Sequence, residues 1–448
     1  MLRDAWTLAI ETLSWMQMQK LSERLALAKT VRQLGTQDGD AVRLAHLLVC
    51  ETVRRQNLID KFVNSALRPK RISELDLGLQ AFLRLYVYQT RIAKNWFKID
   101  VKEAEKIARL ARSILGWKSL QQVEPVLGML LTQKPKVVFE NTSDEERIGL
   151  LTFHPIGLVK YCFNLFGRMN AIALLEADSQ KPPTYIRLNT LKSSESEILA
   201  KLAGEGIKVE KVDQLRYVYI IIDAEVPLTK TASFQEGLFY VQDKASCFAA
   251  EAADPQPEMV ILDVCAAPGA KTTYLAQLMQ NRGSIYSVDY SKRRMHQWRS
   301  EVTRMGVEIA EPVLADGRRA FPFNLEADVV VLDPPCTGTG SFRKVPSAKW
   351  RLNPRSIDRM ADIQWQMLNN CAKSVKDGGF LIYSTCSITV EENEMQIERF
   401  LKWNTEFSLI EVGPRIGLPG LRTLGKCQRL YPNIHHCNGF FIAKLRRN

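Results

Sequence analysis

The chain has 448 residues, 46% of them hydrophobic and 25% charged, with a formal net charge of +12. That composition excludes a low-complexity or disordered protein and leaves room for two or three domains. Its 9 cysteines, an odd number in a chain too long to need staples, argue against a disulfide scaffold, and the basic balance suits a polyanionic partner.

The N-terminal segment MLRDAWTLAIETLSWMQMQK carries Arg3, Asp4 and Glu11 inside its apolar pattern. It reads as an amphipathic helix, not a signal peptide. No apolar run approaches the ~18 residues that a membrane span requires. A cytoplasmic protein with reduced thiols and no membrane partner is therefore expected. Helical spacing continues through Trp6, Ile10, Leu13 and Met16, then Leu21 and Leu25, then Leu44, Leu47 and Leu48. LDLGLQAFLRLYVYQTRIAKNWF and DVKEAEKIARLARSILGW extend the pattern, so residues 1–135 are predicted to form an all-α bundle.

The stretch 131–149 mixes Pro, Asn, Ser and charge and marks a boundary. Residues 150–235 then read as a small α+β domain. It opens with a helix at LVKYCFNLFG, continues with a strand in PPTYIRLNTLK and a charged helix in SESEILAKLAGEG, and ends with strands IKVEKV and YVYIII. From 236 to 448 apolar strands alternate with helices, as in MVILDVCAAPG followed by AKTTYLAQLMQN and GSIYSVDY followed by SKRRMHQWRSEVTRMG. This is the pattern of a Rossmann-like α/β domain, a parallel sheet covered on both faces.

In such sheets a ligand sits at the carboxyl ends of the strands. The first strand here ends at Asp263, and its loop runs Cys265, Ala266, Ala267, Pro268, Gly269, Ala270, Lys271. Small residues let a ligand approach the backbone. One glycine where a dinucleotide site wants three argues for a cofactor without a pyrophosphate, and S-adenosylmethionine fits. Asp289 ends the second strand near the offset at which a carboxylate holds a ribose diol. Asp316, after a third strand, is placed to bond an adenine amino group. Each of the two is alternatively a helix cap.

Two further strands end in cysteine: VVVLDPPCTGTGSF carries Asp333 and Cys336, and GGFLIYSTCSITVEENE carries Cys386. Carbon 5 of cytosine is too poor a nucleophile to be methylated directly. A thiolate adding to carbon 6 makes it an enamine carbon that can attack a methyl group. A base must then take the carbon 5 proton before the thiol leaves, and two cysteines can divide addition from release. Otherwise both are small buried hydrophobes, as Cys50, Cys162, Cys247 and Cys371 are expected to be. Cys427, His435, His436 and Cys437 lack zinc spacing, so no metal is expected.

Together LDVCAAPGAKT, LDPPCTGTG and YSTCSITVEENE resemble the motifs of the RNA cytosine-5 methyltransferase family, the Nop2/Sun/RsmB (Fmu) group. The resemblance spans about residues 150–448. LGLQAFLRLYVYQT with VKEAEKIARLA resembles a NusB-like RNA-binding domain, a pairing that implies small-subunit (16S) ribosomal RNA as substrate. The resemblance implies that Cys386 is the covalent nucleophile and that Cys336 aids product release. It further implies that Asp333 holds the cytosine edge and Lys271 lies between cofactor and base. The loop from Cys265 to Lys271, with Asp289, Asp316 and Asp333, is implied to bind S-adenosylmethionine. Three positions depart: Ala270 stands where Gly is usual, Asn438 where Asp is usual, and Pro334 where Ala is common in bacterial members.

RNA phosphates are expected to meet Arg187 and Lys192 in the small domain, and Arg343, Lys344, Lys349 and Arg351 beyond Cys336. Trp350 either stacks on a base or packs. The chain is expected to act as a monomer. A transfer RNA or other RNA substrate, or a non-catalytic RNA-binding assembly factor, remain the competing expectations.

Overall fold

The computed structural model describes residues 1–93 and 101–448, which divide into two compact units. The end of the predicted helical run at 94–100 lies outside the described residues.

The first unit comprises Met1–Ser179 together with Phe342–Arg351. Among its described residues it is helical, beginning Leu2–Gln19, Glu23–Leu34, Gly39–Arg54, Gln56–Leu67 and Leu77–Val87. Asp38 caps Gly39–Arg54 by accepting from the amides of Asp40 and Ala41 at 2.9 and 3.1 Å. Trp6, Ile10 and Leu13 are buried as their spacing predicts, around Phe62, Phe82 and Tyr86. Leu25 and Leu47 lie instead on the outer face, exposed. Helices Asp144–Leu151, Ile156–Phe166 and Arg168–Ser179 also pack within this unit. Asn57 makes the attachment: its amide donates to the carbonyls of Gly149 at 2.7 Å and His154 at 3.1 Å.

The segment 342–351 docks in the same bundle, burying Phe342, Arg343, Pro346, Ser347 and Lys349 and leaving Lys344 and Arg351 exposed. The Trp350 indole donates to the Val53 carbonyl at 2.6 Å, and Ser347 donates its amide and hydroxyl to the Glu23 carboxylate. Trp350 therefore packs.

The second unit, residues 180–341 and 352–448, holds two sheets. Strands β1 (Tyr185–Leu188), β2 (Ile207–Lys211), β3 (Val218–Ala224) and β4 (Phe239–Val241) form an antiparallel sheet in the order β2-β3-β1-β4. Its last strand lies beyond residue 235. The helix Glu195–Gly204 packs on it through Ile198 and Leu202, and starts with a capping box between Ser194 and Glu197.

The larger sheet contains β5 (Val260–Val264), β6 (Ser284–Asp289), β7 (Ala310–Leu314), β8 (Ala327–Leu332), β9 (Val375–Thr385), β10 (Phe407–Ile410), β11 (Leu418–Pro419), β12 (Gln428–Leu430) and β13 (Phe440–Arg447). The order is β11-β12-β13-β9-β8-β5-β6-β7, with β10 beside β13. The five strands from β5 to β9 pair in parallel. The C-terminal strands pair antiparallel, so the sheet is mixed rather than wholly parallel. Val329 and Val331 of β8 enter one core with Phe248, Tyr274 and Trp298. Val330 and Leu332 enter the opposite core with Met367, Leu368 and Phe400. A strand buried on both faces has no polar alternation, which is why it reads as a continuous apolar run.

The chain runs outward from β5 through β6 to β7, then returns to place β8 on the other side of β5. The carboxyl ends of β5 and β8 thus flank the crevice where a ligand fits.

Candidate active site

The chain turns sharply after β5. Cys265 adopts φ +67°, uncommon for a residue with a side chain. The amides of Cys265 and Ala266 both donate to the Val288 carbonyl, at 2.9 and 3.0 Å. Gly269 has φ +108°, and a Cβ there would sit 3.3 Å from the Trp298 ring. Only glycine meets both conditions without strain.

A cleft of about 680 Å³ opens over this loop. Cys265, Ala266, Ala267, Pro268, Ala270, Lys271, Asp316, Asp333, Cys336 and Cys386 line it. Gly269 shapes the turn beneath. Asp289 lies at the end of β6, buried, its Oδ1 accepting from the Ser291 amide at 3.0 Å. Its Oδ2 accepts no hydrogen bond and lies 3.1 Å from the Arg294 guanidinium. Ser291, not Asp289, caps the following helix. Asp316 is held by Arg318, whose Nη2 is 2.6 Å away, and that hydrogen bond keeps its carboxyl below the usual range.

Several residues of the cleft were not singled out by sequence. Asp263 is buried, accepts from the Thr272 hydroxyl at 2.6 Å, and is pushed by burial up to about pKa 6. Met360, Ile363 and Met367 line the cleft from the helix Pro354–Ala372. Their helical spacing was legible, but that spacing equally describes a core face. Tyr290 is 68% exposed at the cleft; its place directly after Asp289 was the available signal.

At the cleft's other end two loops converge. The sulfurs of Cys336 and Cys386 are 3.1 Å apart, a thiol hydrogen bond rather than a disulfide. The backbones approach closely too: the Gly340 amide donates to the Cys386 carbonyl at 2.9 Å, and a Cβ on Gly340 would fall 2.1 Å from the Gly439 oxygen. The hydrogen bond from the Cys336 thiol lowers the pKa of Cys386, with the Ser341 hydroxyl adding to it against burial and Asp333. Cys336 is raised, by that same bond and by burial. Cys386 is thus the sulfur that ionises first. The Lys271 ammonium is ion-paired with Asp333. Burial works to lower the Lys271 pKa, but the Asp333 carboxylate outweighs it and the net direction is up.

The expected RNA-contacting residues divide. Lys192 and Lys344 are exposed. Arg187 is fully buried: it donates to Gln242 at 3.1 Å and to the Thr273 hydroxyl at 2.8 Å, and stacks 4.5 Å over Tyr274. It holds the small sheet onto the helix Ala270–Leu278 and does not reach phosphate. Arg343 and Lys349 are likewise buried in the helical unit, because the segment that carries them docks there.

A mixed sheet whose five parallel strands switch at β5, a glycine-poor turn and a buried strand-end aspartate define a class I, S-adenosylmethionine-dependent methyltransferase. The model of the family described as "16S rRNA methyltransferase RsmB/F" matches residues 250–446, and that of the RsmF/B-like ferredoxin-like domain matches residues 154–229. The "Probable ribosomal RNA small subunit methyltransferase B" of Bacillus subtilis is 30% identical, over 98% of this chain and 98% of its own. The "25S rRNA (cytosine-C(5))-methyltransferase nop2" of Schizosaccharomyces pombe is 35% identical over 65% of this chain, which spans 50% of that protein's length. The solved structure described as "Crystal Structure of PH0851" superposes with a TM-score of 0.81 at 29% identity, covering 99% of both chains. The chain belongs to the RsmB/F methyltransferase family.

The cleft fits the family's cofactor. Asp289 keeps a buried oxygen without a hydrogen-bond donor, as a ribose hydroxyl would supply, and Met360, Ile363 and Met367 offer the apolar surface a purine needs.

Proposed function

We propose that this protein methylates carbon 5 of a cytosine in small-subunit ribosomal RNA. The observation that carries the reading is the contact of Cys336 and Cys386, 3.1 Å apart, in the same cleft as the cofactor loop and the Lys271–Asp333 pair.

S-adenosylmethionine supplies an electrophilic methyl group when bound. The chain's own residues prepare the base. Cys386, as thiolate, adds to carbon 6 of the cytosine, and the ring's electrons move to carbon 5. Asp333 holds the polar edge of the base, with Lys271 keeping the carboxylate in place and its positive charge beside the site. After carbon 5 has taken the methyl group, its proton leaves to a base. The pair of electrons released expels the Cys386 sulfur, and Cys336, the protonated partner, gives that leaving thiolate a hydrogen bond. The target base must leave its stack to enter so closed a site. Residues 1–135 are read as a NusB-like RNA-recruiting domain.

Bisulfite sequencing of total RNA from cells with and without the gene tests the substrate. One ribosomal cytosine is expected to lose its mark, and Cys386→Ala to copy the loss. Cys336→Ala is expected to accumulate a denaturation-resistant protein–RNA adduct. A changed transfer RNA with unchanged ribosomal RNA would relocate the substrate. No change in any RNA, and no adduct, would leave an RNA-binding assembly factor.

A further inference from the structure

Between the two cysteine loops lies a carboxylate the chemistry above does not use. Glu392 is fully buried, yet among the described residues no basic side chain forms an ion pair with it. Five donors surround it instead. Its Oε1 accepts from the Thr337 amide at 2.8 Å and from Gln364 at 2.9 Å. Its Oε2 accepts from the hydroxyls of Thr337, Ser387 at 2.6 Å, and Thr389 at 2.8 Å. Thr337 directly follows Cys336 and Ser387 directly follows Cys386. Gln364 also donates to the Pro335 carbonyl at 3.0 Å, on the other side of Cys336. The Tyr383 hydroxyl fixes the Glu392 carbonyl at 2.6 Å.

We infer that Glu392 is a positioning residue: its carboxylate clamps the loops of Cys336 and Cys386 together and so sets the distance between the two sulfurs. The clamp deepens the proposed function, resting on the reading that these two sulfurs are the reactive pair. A buried carboxylate is retained only where donors repay its desolvation. Here the donors come from both loops, so neither loop can move away without leaving that charge unsatisfied. Glu392 also acts at a distance. Its negative charge works against ionisation of both thiols, Cys336 and Cys386 alike, so the part it plays between them is one of position.

The test reads the sulfur separation directly and does not depend on methylation. Diamide treatment of the full-length protein lets one thiolate add to the azo nitrogen. The second sulfur then displaces the reduced hydrazine, which leaves a Cys336–Cys386 disulfide. Wild type is expected to cross-link rapidly. Glu392→Ala should slow cross-linking at least about tenfold and lower kcat by about 100-fold, with KM for cofactor and RNA within about twofold, as expected when reacting groups are displaced by an ångström. Glu392→Gln, which keeps an acceptor for the Thr337 amide, should restore most of the cross-linking rate. Thr337→Val and Ser387→Ala each remove one donor and keep the test alive if Glu392→Ala does not fold; each should slow cross-linking. Wild-type cross-linking and kcat in Glu392→Ala, or in both hydroxyl variants, would overturn the clamp. Slowed cross-linking in a protein that methylates no RNA would uphold the clamp and reject the proposed function.

Discussion

Cys336 and Cys386 are the same residue type at the ends of neighbouring strands, and their surroundings make them unequal. Their sulfurs share a hydrogen bond at 3.1 Å, which lowers the pKa of Cys386 and raises that of Cys336. A thiolate accepting a hydrogen bond is stabilised relative to its protonated form, so the pKa falls. Removal of the donor reverses the sign. In Cys336→Ala, the pH at which iodoacetamide alkylates Cys386 at half its maximal rate is expected to rise relative to wild type. Mass spectrometry of the labelled peptide across a pH series measures it, and an unmoved midpoint would mean that the Cys336 thiol does not tune its neighbour.

The element whose placement differs most from its sequence reading is the segment 342–351. FRKVPSAKWR contains four basic residues and two aromatics, the signature of a nucleic-acid contact, yet Arg343 and Lys349 are buried in the helical bundle. Burial, with Arg54 and Arg55 adding to it against Asp178 and Glu51, lowers the Lys349 pKa to about 7. The sign follows from linkage. From about pH 7 up to its ordinary 10.5 the unfolded chain binds the proton more tightly than the folded one. The cost of burying the charge is therefore complete below about pH 7 and is relieved as pH rises above it. Lys349→Met should raise the melting temperature of the helical unit, most at pH 6 and progressively less toward pH 9. A gain independent of pH would show that packing, not charge, separates the two proteins.

At the scale of the whole molecule the chain is two compact units, and the cofactor cleft belongs to the second. A ligand that binds only the folded state stabilises it by about 2.7 kcal/mol at a hundredfold excess over Kd. S-adenosylhomocysteine should therefore slow amide exchange in β5, β6 and β8, while the amides of Leu2–Gln19 and Gln56–Leu67 exchange at unchanged rates. Equal protection of both units would mean that they unfold together. The formal charge of +12 acts at the same scale: RNA affinity is expected to fall steeply with salt, by a slope of about −0.7 per phosphate neutralised on a single strand.

What the amino-acid sequence by itself determined was local and periodic. Apolar runs and helical spacing specified the bundle, the small sheet and the strands β5 to β9, because burial on one face or two leaves its period in the chain. The cofactor turn and both cysteines were legible for a related reason: a sharp strand-end loop requires a particular residue at each place. Tertiary structure decided what depends on residues distant in the chain. Arg187 is a packing residue because Gln242 and Thr273 come to it. The C-terminal strands turn antiparallel because β13 pairs with β9. Arg343 and Lys349 of the basic segment 342–351 are buried because Glu23 and Val53 receive that segment. Glu392 looked like one more acidic residue in EENE until folding placed five donors around it. Hydrogen-bond partners leave no period in a sequence, so a charge at the surface and a charge in a clamp read alike until the chain is folded.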